Sequence, residues 1–255
     1  MLSLAWKEIT RRTSRAALAI AGFLLVALLI AAAQCLGDAI RRATSEPLDV
    51  TGADLVVIRK VIPCAFAPVK RPKDLGAITG AELERIRALK SVKNATGTLV
   101  VWAFDGGQPT VTTGVLPGSV KEGGPLRQYR DGERCCVLEE GRLFDPSKNE
   151  TVLDRGYAEQ RGLGIGDMVR LGPRDFSIVG ILKVAGVAVI GGGEAYAPLR
   201  RVQEMLEEGD VYDYLFISAR SGVELAALTT EVEEIIGEGC QVSSQDSLPG
   251  QISQS

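Results

Sequence analysis

Eighteen consecutive residues without a charge, Ala16–Ala33 (AALAIAGFLLVALLIAAA), stand near the start of the chain. As a helix the run spans about 27 Å, close to the roughly 30 Å of bilayer hydrocarbon, and it predicts a single N-terminal transmembrane helix. Before it, Leu2, Trp6 and Ile9 recur at near-helical spacing among charges, which predicts a short interfacial helix. After it, Leu36, Ile40 and Ala43 keep the helical period until Pro47 disfavours it, so a helical stalk over Gln34–Ser45 is expected to project beyond the lipid. The expected division is 1–45 for interfacial segment, transmembrane helix and stalk, and 46–255 for the body.

The body alternates between the two other periods. ADLVVIRK reads as a strand, and Pro63–Asp74, with three prolines, as a loop. Thr79–Val92 reads as a helix, with a T-x-x-E capping box at Thr79 and Glu82 and Leu83, Ile86 and Leu89 near one face. TGTLVVWAF returns as a strand. The same order recurs near the end. VYDYLFISA is a strand, Ser221 and Glu224 offer a second capping box, Leu225, Leu228, Val232 and Ile235 form a stripe, and CQVSS closes the unit. Between them, 110–197 reads as short strands and turns, and Leu199–Glu208 as an amphipathic helix. The fold class expected is therefore α+β: a βαβ-type subdomain from 46–109 and 198–255, carrying an inserted β-rich subdomain over 110–197.

Charge orients this picture. Residues 1–42 carry six Lys/Arg and two Asp/Glu, net +4, while the remaining 213 residues carry 23 and 30, net −7. Lys7, Arg11, Arg12 and Arg15 precede the apolar run, which places the N-terminus in the cytoplasm and the body outside it. A cleaved signal is the alternative, since Ala31 and Ala33 give an A-x-A pattern; the run exceeds the usual ~7–15 residue core of a signal, which favours an uncleaved anchor. An acidic body with 5% aromatics does not suit nucleic acid.

Histidine is absent, which removes Ser-His-Asp and Cys-His catalysis and His-ligated zinc. The cysteines, Cys35, Cys64, Cys135, Cys136 and Cys240, show no C-x-x-C spacing, and their pairing is not readable from spacing. Adjacent acids at Glu139–Glu140, Glu207–Glu208 and Glu233–Glu234 read as solvated surface, because neighbours on a strand or helix do not face a common substrate. No catalytic, cofactor or metal residue is assigned.

One stretch asks to be read as a nucleotide loop: RGLGIGDMVRLG, Arg161–Gly172. A phosphate loop needs a strand before its glycines and a helix after them. Here the order is reversed, so Gly162 is expected to cap a short helix while Gly164 and Gly166 turn the chain into a strand.

Glu140–Leu182 resembles the extracytoplasmic domain of the MacB/FtsX superfamily of ABC-transporter permeases. The resemblance rests on Gly141-Arg142-Leu143-Phe144, Val152-Leu153, Gly162-Leu163, Gly166-Asp167-Met168-Val169-Arg170-Leu171 and Phe176-Ser177-Ile178-Val179-Gly180-Ile181. RRTSRAALAIAGFLLVALLIA is similar to the family's first transmembrane helix, and ITGAELERIRALKSV and AYAPLRRVQEML fit family positions. The resemblance implies a permease subunit, or its N-terminal half, whose outer domain couples a cytoplasmic ABC ATPase to export or release of a lipoprotein, peptide or small molecule. It also implies a homo- or heterodimer with a permease subunit, in the cell (inner) membrane with the body periplasmic or extracellular. Family permeases carry three further transmembrane helices, whereas no second apolar run occurs before Ser255. A non-transporting, membrane-anchored interaction domain is the alternative.

Overall fold

The computed structural model describes residues 21–36, 51–59, 69–70, 77–105, 108–118, 123–126, 137–183, 190–206, 209–237 and 239–244. The chain forms two compact units, Met1–Thr44 and Ser45–Ser255.

In the first unit residues 21–36 are helical, and Phe23, Leu24, Leu25, Leu28 and Leu29 are all exposed. Among the described residues no helix is long and apolar enough to cross a membrane. The apolar run before residue 21, the stalk from residue 37, and Lys7, Arg11, Arg12 and Arg15 lie outside the described residues.

The second unit is built on one mixed sheet in the order β13-β1-β12-β4-β5-β10-β7-β9-β6. Its first four members form a β-α-β-β-α-β quartet. β1 (Leu55–Arg59) lies between β12 (Tyr214–Ala219) and β13 (Cys240–Ser244), and β12 pairs with β4 (Val92–Asp105), all antiparallel. Helices α1 (Gly80–Arg87) and α4 (Leu225–Ile236) cover one face. Leu83 and Ile86 of α1 and Leu228, Val232 and Ile236 of α4 bury against Leu55, Val57, Leu99, Leu215 and Ile217. The strand residues alternate, and those one position away face the other side, where Val56 and Phe216 cluster with Ala53.

β4 is the joint. Its first half pairs with β12 and its second half with β5 (Gln108–Val115), so the sheet runs on into 110–197 without a break. Beyond β5 come β10 (Ala195–Pro198), parallel to β5, then β7 (Glu150–Asp154), β9 (Arg174–Lys183) and β6 (Val137–Gly141). β8 (Met168–Leu171) pairs with β9 beside this path. Helix α2 (Arg155–Arg161) follows β7 directly, and α3 (Leu199–Leu206) follows β10 and packs on β5 and β4. The two-residue β2 (Val69–Lys70) pairs with β4, and β3 (Ile78–Thr79) with β11 (Val211–Tyr212).

Three local expectations are corrected. α1 ends at Arg87 rather than Val92, because Leu89 and Val92 close turns onto Ile86 and Leu89 and Val92 enters the sheet against Ala219. VYDYLFISA is two strands, not one. Asp213 interrupts it: its N–H donates to the Thr98 carbonyl at 2.9 Å, and its carboxylate accepts from the Val100 N–H, also at 2.9 Å. Nor does Ser221 cap α4. The Val223 N–H donates to Arg220 O and Gly222 takes φ 82°, so the chain is still turning and Glu224 becomes the N-cap without a side-chain hydrogen bond. The box at Thr79 and Glu82 is present in both directions.

That box also anchors a clamp. Arg59, at the end of β1, donates to Glu82 Oε1 at 2.5 Å, Ala77 O at 2.8 Å and Ile236 O at 2.6 Å, tying β1 to the start of α1 and the end of α4. Burial pushes the Glu82 carboxyl up, but hydrogen bonds from Arg59 and from Thr79 outweigh it and hold it below the usual 4.5. A carboxyl with a depressed folded pKa contributes stability that is full above its unfolded value and is lost as pH falls through the folded one. Glu82→Gln should therefore lower the melting temperature at pH 7, and the gap to the parent should close below about pH 4.5. Thermal denaturation of both proteins from pH 7 to pH 3 checks this; a gap that stays constant contradicts it.

Candidate functional site

The stretch from Gly141 to Leu182 folds as β6, a loop, β7, α2, a glycine turn, β8 and β9. Arg142 Nη1 and Nη2 donate to Glu150 Oε2 and Oε1, each at 2.7 Å, and the Asp145 N–H adds a third bond at 2.9 Å. The Arg142 guanidinium holds the Glu150 carboxyl below its ordinary range against the opposing effect of burial. Asp145 in turn accepts from the Ser147 hydroxyl and N–H at 2.7 and 2.9 Å, which lower its pKa. Arg201 of α3 donates to Ser147 O at 2.6 Å, so this loop is fastened to the helix beside it. Phe144 inserts beneath, into a cluster with Val152, Leu182 and Tyr196.

α2 starts where the Asp154 carboxylate accepts from Gly156 N and Tyr157 N, at 2.9 and 3.4 Å. It stops at Gly162, at φ 64°, with Gly162 N donating to Glu159 O and Leu163 N to Ala158 O, the paired bonds of a Schellman motif. The Gly164 N–H goes to Asp167 Oδ2 at 2.8 Å, Gly166 N, at φ 94°, to Ile178 O at 2.8 Å, and Asp167 N to Gly164 O at 3.2 Å. Anion loops work through free N–H groups. These five are all engaged within the chain, and the stretch turns the backbone instead.

Two features were not visible in the sequence. Glu139 and Glu140, adjacent on β6, both reach Arg155: Glu139 Oε2 pairs with its Nε and Glu140 Oε1 with Nη2 at 3.0 Å. Strict alternation would forbid this, but the register of β6 against β9 shifts between Leu138 and Glu140. Both acids are exposed, in keeping with the solvated surface expected of them, yet they share one partner. The second feature is a groove of about 510 Å³ lined by Arg200, Gln203, Glu204, Gly209 and Asp210. Glu204 Oε2 accepts from Arg174 at 2.8 Å and Arg201 at 3.1 Å. Partial burial raises its pKa, but those two cations outweigh it and hold the carboxyl below its ordinary range. Asp210 Oδ1 accepts from the Tyr212 hydroxyl at 2.7 Å and from Gln203 Nε2 at 3.2 Å. The exposed Arg200 pairs with Glu204 Oε1 at 3.5 Å, so the acids that line the groove are already committed within the chain. The groove residues come from one face of α3 and the segment after it, and only the strong amphipathicity of LRRVQEML hinted that its polar side was organised. Among the described residues no group of three or more Cys, Asp or Glu is placed to hold a metal ion.

A family model for the MacB-like periplasmic core domain matches residues 16–235. The chain belongs to that family. The MacB-like fold agrees with two solved structures. The periplasmic region of MacB from Actinobacillus actinomycetemcomitans is 14% identical, with 82% of this chain and 96% of that one covered at a TM-score of 0.55. The extracellular domain of the ABC-type transporter YknZ from Gram-positive bacteria is also 14% identical, with 74% and 100% covered at a TM-score of 0.51. At these identities the likeness concerns the fold: a MacB-like domain of mixed α and β structure on a mixed sheet. No curated protein matches the sequence. In this MacB-like domain, Arg142–Glu150 and the Gly162–Asp167 turn lie inside the matched region.

Proposed function

We propose that the chain is an ABC-transporter permease subunit, or its N-terminal half, whose outer domain couples a cytoplasmic ATPase to export or release of a lipoprotein, peptide or small molecule. The observation that carries the reading is the family match, which reaches back to residue 16 and so includes the whole apolar run together with the body as far as residue 235. The exposed Phe23, Leu24, Leu25, Leu28 and Leu29 support a role for that run as the membrane anchor, since so many apolar side chains on one helix need an apolar surrounding. The N-terminus is then cytoplasmic and the body periplasmic or extracellular, as the basic flank Lys7, Arg11, Arg12 and Arg15 favours. The ATPase and a second permease subunit are its partners, and the chain itself does no chemistry; its best-placed acids, Glu150 and Glu204, are already bound to arginines.

Topology and coupling are tested together. Cysteines at the exposed positions Glu84, Arg200 and Glu231, in a background lacking the native ones, should react with an impermeant maleimide in whole cells, and one at Ser3 only after lysis. The reverse pattern overturns the orientation. Inserting Gly-Gly-Pro after Ala39 should then leave labelling intact and abolish transport, because glycine costs about 1 and proline about 3 kcal/mol in a helix interior and the stalk no longer transmits motion. Full transport by that variant would favour the anchored interaction domain.

A further inference from the structure

On the side of the sheet away from α1 and α4, two hydroxyls are completely enclosed. Thr98 of β4 and Thr113 of β5 are both 0% exposed, and neither Oγ1 has a hydrogen-bond partner among the described residues. Buried polar atoms without a partner are few in native proteins, and each calls for a physical reason. The register places the two together: Val100 faces Thr113 and Leu99 faces Gly114, so Thr98 and Thr113 are diagonal neighbours on one face. Diagonal Cβ atoms lie somewhat under about 7–8 Å apart, and two hydrogen bonds through one bridging oxygen span about 5.6 Å.

The turn at Gly191–Gly193 closes over this pair, one glycine above each threonine. A Cβ on Gly191 would sit 3.4 Å from Thr98 Oγ1, 3.4 Å from Phe216 Cζ and 3.6 Å from Tyr214 Cδ2. One on Gly193 would come within 2.6 Å of Thr113 Oγ1 and 2.7 Å of Val111 O. Lacking side chains, the two glycines bring the turn's backbone close over both hydroxyls, with the Phe216 and Tyr214 rings beside Gly191. Tyr196 fixes the lid from the far side, accepting from Gly193 N at 3.1 Å, and Glu194 fixes its end through Val111, by N–H to O at 2.8 Å and by carboxylate to N–H at 2.8 Å.

We infer that an ordered water molecule is held between Thr98, Thr113 and the Gly191–Gly193 turn, hydrogen-bonded to both hydroxyls. Water suits the site because it both donates and accepts, as each hydroxyl does, whereas two neutral hydroxyls supply no charge to hold an ion. The water makes the turn and the sheet one hydrogen-bonded unit at the point where the chain returns into β10.

Isosteric substitution tests this in the full-length chain. If the water is there, Thr98→Val and Thr113→Val each lower the melting temperature by about 2–4 °C, and the double variant loses less than the sum, because either substitution already loosens the shared molecule. A crystal structure of the parent should show the water within about 2.7–3.0 Å of both Oγ1 atoms. An unchanged or raised melting temperature in the single variants overturns the inference, since exchanging a dry, unpaired hydroxyl for a methyl is neutral or stabilising. A protein group bonded to the hydroxyls in place of water overturns it equally.

Discussion

Gly141→Ala is expected to lower the stability of the outer unit by about 2–5 kcal/mol and its melting temperature by roughly 10 °C. Two penalties combine at this position. Gly141 has φ 76°, where a residue with a Cβ costs about 1–2 kcal/mol. An added Cβ would also lie 2.2 Å from Val179 O and 2.9 Å from Gly180 Cα. Both obstacles are backbone, on the strand that β6 pairs with, and that backbone is committed: Arg142 N donates to the same Val179 O at 2.9 Å. The Ile165 side chain, whose Cδ1 lies 2.8 Å from the same point, can rotate away, but these two backbone atoms cannot, and relief from them requires β6 to leave β9. Gly166→Val is the control. Gly166 has φ 94° but nothing within 4 Å of its Cβ position, so it should cost only the backbone share, about 1–2 kcal/mol. Thermal denaturation of the detergent-solubilised chain reads both; equal shifts would show that the crossing at Gly141 relaxes freely.

Gly97→Ala carries the second large effect, for a reason of packing alone. The ring of Tyr212 lies on Gly97, with Cδ1 2.1 Å from where a Cβ would be. That ring is held at its far end, where its hydroxyl donates to Asp210 Oδ1 at 2.7 Å. Burial and the neighbouring Asp210 both push the Tyr212 pKa upward, which keeps it a neutral donor at any ordinary pH. Overpacking at such a site costs about 1–3 kcal/mol. If the ring is the cause, Gly97→Ala should cost much less in a Tyr212→Ala background, with a coupling of about 0.5–3 kcal/mol from the double-mutant cycle. Additive effects would place the strain elsewhere in β4.

Legibility followed the range of the interactions. The capping box at Thr79 and Glu82 and the stripe through Leu228 and Val232 were readable because their partners lie within one helix. Ser221 met the same pattern and failed, since a turn at Gly222 competes for the same residues. The break at Asp213 could not be seen, because the N–H that holds its carboxylate is 113 residues away. The shared hold of Glu139 and Glu140 on Arg155 depended on a bulge, which a period-two reading excludes by construction. Of the candidate site, Gly162 was legible from composition, as a short helix ending at a glycine. The groove was not, since its walls are polar positions on α3 whose spacing matches any solvated face.

β1 has a consequence for how the chain is made. It sits between β12 and β13, and its partners run from Leu55 opposite Ile217 to Arg59 opposite Cys240. Both neighbours come from the far end of the chain. At a synthesis rate of about 5–20 residues per second, Leu55-Val56-Val57-Ile58 waits roughly 8–32 s before a ladder partner exists. Through that interval the most apolar strand of the quartet is an unpaired edge, the kind of segment that associates with other chains. The outer unit cannot complete its sheet progressively from the N-terminus; it closes in one late step, when residues 214–244 arrive with β12 and β13 to fill both sides of its first strand.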